Sequence, residues 1–440
     1  MRTPRTFRLQ DLGCKVNQYE TQLFREGLLG LGLSEASEAE AADVCVVNSC
    51  SVTLSGGAAS RSVVRRLIRE NPDAAVLVTG CYAESDREVC DAIEGVTRSF
   101  GNKEKDKLVG FVARELLQME GELPDLPNGI SHFMGHTRAF VKIQDGCRDN
   151  CTFCIIPSLR GELKSRTIAD VVTEVERLVA SGYREVVFTG VHLGYYGWKM
   201  EGSHGLCDLL EAMRGIDGLE RVKLSSIEVH EIDDRMLEIF FSDPRFVPHF
   251  HLPLQSGSDG TLQRMRRKYN IKRFREAVRA IRERCSDAAI TTDVIVGFPG
   301  ETVEEFEESL GFAREMRFAK MHIFPYSIRE GTPAATAPNH VHSQEKKERA
   351  QAFAQLDDEL AEAFRCQFIG RTEAVLIEER RRSESGRLTG LTDRFVRVEV
   401  DGPDDWMGQI VDLQLVASDE GVLVARPFEG SPTGPTLLST

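Results

Sequence analysis

The sequence predicts an α/β protein in three parts: an N-terminal doubly wound α/β domain, a central open (β/α)6 barrel and a small C-terminal all-β module. Three observations carry this. Short apolar runs alternate with segments of helical period through residues 1–120. The alternation restarts at Arg138 with six strand-like runs, which is fewer than the eight of a closed barrel. After Gly370 the pattern changes to period two.

In the first part, Phe7–Leu12, Asp43–Asn48 and Ala75–Thr79 read as buried parallel strands, with Tyr19–Leu29 and Ser60–Glu70 helical. Residues 121–137 hold two Pro and three Gly and read as a linker. The central part, 138–369, has candidate strands at 138–143, 184–189, 221–226, 249–254, 290–297 and 319–325. Ile168–Ala180 and Val303–Met316 are among its helices, and Ser343–Phe368 is a long charged one. Residues 370–430 form the β module, with strands expected at Thr372–Ile377, Phe395–Val400, Gln409–Val416 and Val422–Arg426; 431–440 reads as a loose tail.

The chain has 440 residues, 41% hydrophobic and 28% charged, enough for several full cores. It contains no apolar run of the roughly 20 residues that span a membrane, and Met1–Gln10 lacks the apolar stretch of a secretory signal. A multidomain cytoplasmic protein is therefore expected. The net charge of −14 argues against non-specific nucleic-acid binding. Residues 264–284 run against that balance, with ten Lys/Arg to two Glu. They read either as a solvated helical face or as a phosphate-contacting surface.

Cysteine carries the chemistry. Eleven cysteines in a chain without an export signal favour metal or redox roles over disulfides. Cys147, Cys151 and Cys154 form C-x3-C-x2-C directly after the first barrel strand. Three thiolates there suit an iron–sulfur cluster with one iron left open, or a zinc site with a distant fourth ligand. Cys14, Cys50 and Cys81 each fall just past a predicted parallel strand, preceded by Gly13, Ser49 and Gly80. Ligands gather at such strand ends, so these three read as a second cluster site or as ordinary buried cysteines. Cys45, Cys90, Cys207, Cys285 and Cys366 read as packing residues.

The C-x3-C-x2-C loop after the first strand of a partial barrel resembles the radical S-adenosylmethionine (SAM) enzymes. Two cysteine triples with a C-terminal β module resemble the methylthiotransferase family within them. The resemblance extends through FRLQDLGCKVNQYET (7–21), CTFCIIPSLRGELKSR (151–166), TGVHLGYYG (189–197), HLPLQSGSD (251–259), DVIVGFPGET (293–302) and HIFPYSIREGTP (322–333). Val229 is one departure, where Pro is common. The last domain resembles the TRAM module, an RNA-contacting β-barrel; its segment 371–397 carries seven Arg and five acids.

The resemblance implies two 4Fe-4S clusters, one on Cys147, Cys151 and Cys154 and an auxiliary one on Cys14, Cys50 and Cys81. It implies two SAM molecules per turnover, one giving a methyl group and one giving a 5′-deoxyadenosyl radical. Phe153 lies where the superfamily places a residue beside the SAM adenine, and Gly190, Gln255 and Gly297 are strand-end candidates for SAM contacts. Implied partners are a tRNA anticodon stem-loop, an electron donor such as flavodoxin or ferredoxin, and a sulfur source, with no membrane. The strings at 14–20 and 324–335 resemble the branch that methylthiolates C2 of N6-threonylcarbamoyladenosine at position 37 of tRNA. Branches acting on isopentenyladenosine in tRNA or on a ribosomal-protein aspartate are the alternatives; a non-catalytic zinc-dependent RNA-binding protein is the remote one.

Overall fold

A computed structural model describes residues 4–37, 39–51, 54–121, 126–200 and 205–428. The expected tail and part of the expected linker lie outside the described residues.

The first unit contains β1 (Thr6–Asp11), α1 (Lys15–Gly30), β2 (Ser34–Glu35), β3 (Val44–Ser49), α2 (Leu54–Glu70), β4 (Ala75–Gly80), α3 (Cys81–Ser85), α4 (Arg87–Asp91), β5 (Val96–Phe100) and α5 (Lys107–Phe111). Its sheet is parallel, in the order β2-β1-β3-β4-β5. Strand β3 is buried at all six positions, as a central strand covered on both faces must be. Strand β5 escapes a periodicity reading because Thr97, Arg98 and Ser99 interrupt its apolar content.

The second unit runs β6 (Ala139–Asp145), α6 (Ile156–Arg160), β7 (Lys164–Ser165), α7 (Ile168–Ala180), β8 (Glu185–Gly190), α8 (Leu206–Met213), β9 (Arg221–Leu224), α9 (Asp234–Ser242), β10 (His249–His251), α10 (Asp259–Arg264), α11 (Ile271–Arg284), β11 (Ala289–Val296), α12 (Val303–Met316), β12 (Lys320–Pro325) and α13 (Ser343–Cys366). All six expected strands are present, in parallel order β6-β8-β9 and β10-β11-β12. Isolated bridges Val222↔Phe246 and Ser226↔His251 link the two sheets. The result is an open barrel, with β7 as an antiparallel edge on β6. Helix ends follow their local signals: Thr302 and Glu305 form a capping box on α12, and the Thr167 side chain caps α7.

The segment read as a linker is packed where it is described. Ile130 and Phe133 are fully buried in the barrel core, and the Ser131 amide donates to Glu26 of α1 at 2.7 Å. A Gly- and Pro-containing stretch with only two apolar anchors carries no period, so its burial was not readable.

The third unit, β13 (Thr372–Arg381), β14 (Leu388–Thr392), β15 (Arg397–Val400), β16 (Ile410–Asp419) and β17 (Val422–Pro427), closes into a five-stranded barrel. Strand β14 was not expected from the sequence, because Thr and Gly dilute its apolar pattern. This barrel docks on the β6–β9 end where the strands begin. Arg221 donates to Ala374 O and Leu391 O, and the Phe395 ring lies beneath Lys223, whose Nζ is 3.1 Å from its centroid.

Candidate functional site

Neighbouring strands β1, β3 and β4 deliver Cys14, Cys50 and Cys81 to one end of the first sheet. Glycine makes the approach possible. Gly13 has φ +97°, and a Cβ there would sit 2.7 Å from Cys50 Sγ. Gly80 has φ +92°, and a Cβ there would strike Ser49 O at 2.4 Å. Asn17, in the first turn of α1, fastens these loops: its side chain donates to Leu12 O at 2.7 Å and Ser49 O at 3.0 Å.

The second triple lies beyond β6. Gly146, at φ +85°, turns the chain where a Cβ would meet Glu162 O at 2.4 Å. The loop is then anchored by Thr152, whose amide donates to Met265 O at 3.1 Å and whose hydroxyl donates to Arg264 O at 2.9 Å. The Cys147, Cys151 and Cys154 thiols lie within mutual electrostatic reach. Burial pushes Cys147 up to about 12 and Cys154 up to about 11. Iron must therefore displace protons to bind. Arg267 donates to Cys151 Sγ at 3.2 Å and pairs with Glu228. Asp149 accepts hydrogen bonds from the Tyr195 hydroxyl at 2.6 Å and from Lys268, and its other oxygen lies 3.2 Å from His192 Nε2.

The first domain's cysteine end is tied to the segment that follows Cys154. Asn102 donates to Cys81 Sγ at 3.8 Å and to Leu159 O at 3.0 Å, five residues after Cys154. The neighbouring residue, Arg160, is buried and reaches back to the first domain. Its guanidinium donates to Asn17 Oδ1 at 2.9 Å, Glu20 Oε1 at 3.1 Å and Asp145 Oδ1 at 3.2 Å. Lys105 and Lys142 close on the same Glu20 oxygen. Three cations hold the Glu20 carboxyl far below the usual carboxylate range, against its burial. Burial raises the Cys81 thiol, and the Arg160 charge opposes that rise. A cavity of about 740 Å³ opens beside this network, lined by Asn102, Lys105, Lys142 and Arg160 among others.

The four expected SAM-contact residues fare differently. Phe153 is half-buried against Phe298, with ring centroids 6.4 Å apart. Gly190 closes on Gln144, Gln255 bridges backbone to Asp293 and Ile295, and Gly297 lets Lys346 of α13 pass where a Cβ would be 2.2 Å away. Each of these last three has a packing reason for its conformation. Of the five cysteines read as packing residues, Cys45 and Cys90 are fully buried, whereas Cys366 is exposed at the end of α13.

The strongly basic run 264–284 is largely neutralised within the fold. Arg264, Arg267, Lys268, Arg275, Arg279 and Arg284 pair with carboxylates, and Arg273 and Arg282 donate to carbonyls. Arg160, Glu20, Lys105 and Lys142 were not singled out from the sequence. Arg160 and Glu20 do stand inside the strings 151–166 and 7–21, but no spacing rule marks a cross-domain charge cluster.

Comparison with known proteins agrees with this architecture. The model for the radical SAM superfamily matches residues 141–313, and that for uncharacterized protein family UPF0004 matches residues 6–101. The threonylcarbamoyladenosine tRNA methylthiotransferase MtaB of Bacillus subtilis is 38% identical, across 93% of this chain and 94% of its own. The chain belongs to the radical SAM methylthiotransferase family. A second MtaB, from Thermotoga maritima, is 34% identical over 96% of this chain and 97% of its own. The tRNA-2-methylthio-N(6)-dimethylallyladenosine synthase of Thermobifida fusca is 35% identical over 91% of this chain and 84% of its own. Among solved structures, the radical SAM methyltransferase TsrM of Kitasatospora setae superposes with TM-score 0.56 at 14% identity, covering 76% of this chain and 77% of its own, which is a likeness of fold. This radical SAM methylthiotransferase uses two iron–sulfur clusters and SAM. No helix among the described residues is long and apolar enough to cross a membrane.

Proposed function

We propose that this enzyme adds a methylthio group to C2 of N6-threonylcarbamoyladenosine in the anticodon loop of tRNA. The observation that supports this reading is the tie between the two cysteine-bearing segments: Asn102 donates to Cys81 Sγ and to Leu159 O, and Arg160 donates to Asn17 of the first domain. The relatives named for threonylcarbamoyladenosine, at 34–39% identity, favour this substrate over dimethylallyladenosine.

In this reading Cys147, Cys151 and Cys154 hold one cluster, and Cys14, Cys50 and Cys81 hold the other. When bound, the clusters and SAM supply one-electron cleavage chemistry and a sulfur donor. The chain supplies position. Asn17 and Arg160 fix the cysteine loops of the first domain against the barrel. Arg267 places a positive charge and a hydrogen bond on Cys151. Asp149 is held by three partners next to Cys147. A small iron–sulfur protein or flavoprotein as electron donor, a sulfur source, and a cytoplasmic setting complete the reading.

The test is nucleoside analysis of tRNA after anaerobic incubation of the reconstituted enzyme with SAM, a reductant and sulfide. The expected product is the 2-methylthio derivative of threonylcarbamoyladenosine. Methylthiolation of dimethylallyladenosine alone would contradict it. The charge bookkeeping of the 264–284 run gives a second expectation. Neutralising Arg266 and Lys272, which have no ion-pair partner within 4.0 Å among the described residues, should lower the salt slope of tRNA binding by about 1.4–1.8, as two phosphate contacts do. Neutralising Arg275 and Arg279, which are paired with Glu315 and Glu283, should leave the slope unchanged in the same titration.

A further inference from the structure

Helix α1 starts one residue after Cys14 and packs on the barrel strands β6 and β8. Its first residue, Lys15, is exposed as a residue, while its ammonium end lies against the barrel sheet. Its Nζ is 5.7 Å from the Phe140 ring centroid. Phe140, Val187 and Lys223 are register neighbours on β6, β8 and β9, so they share one face of the sheet. Lys15 is within electrostatic reach of Asp293 on β11, of Arg138 and of Lys223.

Most charges on this face are already matched. Arg138 and Arg221 lie 3.3 Å and 3.7 Å from Glu185 oxygens. Asp293 lies 3.2 Å from His251 Nε2. Lys15 and Lys223 have no carboxylate within 4.0 Å among the described residues. Lys223 is buried above the Phe395 ring and out of reach. Among the described residues of this face, Lys15 is thus the exposed lysine without a carboxylate within 4.0 Å, and Lys223, the other such lysine, is buried.

We propose that Lys15 binds the free carboxylate of the threonylcarbamoyl group and so selects this substrate over adenosines whose N6 group is uncharged. The inference rests on the substrate reading above. Its chemistry is direct: C6, which bears the substituted nitrogen, and C2, the carbon to be modified, both adjoin N1 of the adenine. An anchor on the N6 substituent one residue from Cys14 therefore turns the C2 edge toward the auxiliary cysteine triple. An ammonium–carboxylate contact on a half-enclosed face also discriminates well, because an uncharged substituent leaves the ammonium unmatched.

The test measures binding of reconstituted enzyme to anticodon stem-loop RNAs carrying either threonylcarbamoyladenosine or unmodified adenosine. Wild type should prefer the modified RNA. Lys15→Met should bind it about 10- to 100-fold more weakly and bind the unmodified RNA as wild type does, which also reports an intact fold. Lys15→Arg should keep most of the preference. If wild type prefers the modified RNA and Lys15→Met keeps that preference, the carboxylate role is overturned while the substrate reading stands. If wild type neither prefers the modified RNA nor methylthiolates it, the substrate reading falls and this inference falls with it.

Discussion

Glu20→Gln should destabilise the enzyme by about 3–5 kcal/mol, the usual cost of removing one partner from a buried ion cluster. Glu20 is 3% exposed and faces Arg160, Lys105 and Lys142. Without its charge, Asp145 alone opposes three cations. Chemical denaturation of wild type and variant measures the difference. The pH dependence follows from the sign of the shift. The carboxyls of Glu20 and Asp145 are both held below their ordinary values of 4.5 and 3.8. Their contribution is fully present above those values and is lost as pH falls toward the depressed folded values. Wild-type stability should therefore fall below about pH 5, and the Glu20→Gln variant should fall less steeply. An equally steep loss in both would show that Glu20 is not the titrating anchor.

The second large effect is a split between two activities. Replacing Cys14, Cys50 and Cys81 together by Ala should reduce methylthio transfer to background while SAM cleavage by the reduced enzyme persists. The reason is spatial. The three residues lie at the ends of β1, β3 and β4, whereas Cys147, Cys151 and Cys154 are carried by the loop after β6 and anchored separately through Thr152. Removing the first triple leaves that anchoring in place. Product nucleosides and 5′-deoxyadenosine are measured in the same reaction. Loss of both products would mean that the radical site depends on the auxiliary triple.

Much of this was legible because the sequence obeys simple periods. Buried parallel strands such as β3 and β4 open on nearly unbroken apolar runs, and the cysteines mark strand ends by their place after small residues. Less was legible where the cause is tertiary. Strand β5 has the polar residues Thr97 and Ser99. The 126–137 stretch is fixed by the burial of Ile130 and Phe133 and by tertiary hydrogen bonds such as Ser131 to Glu26, which no period announces. The basic run 264–284 suggested a phosphate surface because its partners, Glu305, Glu228 and Glu315, are distant in sequence. Arg160 looked like one more arginine; only the fold brings it to Asn17 and Glu20, more than 100 residues away.

Methylthio transfer by this chain requires two clusters, one on each cysteine triple. Iron and sulfide should be measured per chain in anaerobically reconstituted wild type and in the Cys14/Cys50/Cys81 triple alanine variant. About eight irons falling to about four is the expected result, as two four-iron clusters require. About four irons in both proteins would contradict it, leaving the first domain without a cluster and the sulfur-transfer reading without a sulfur carrier.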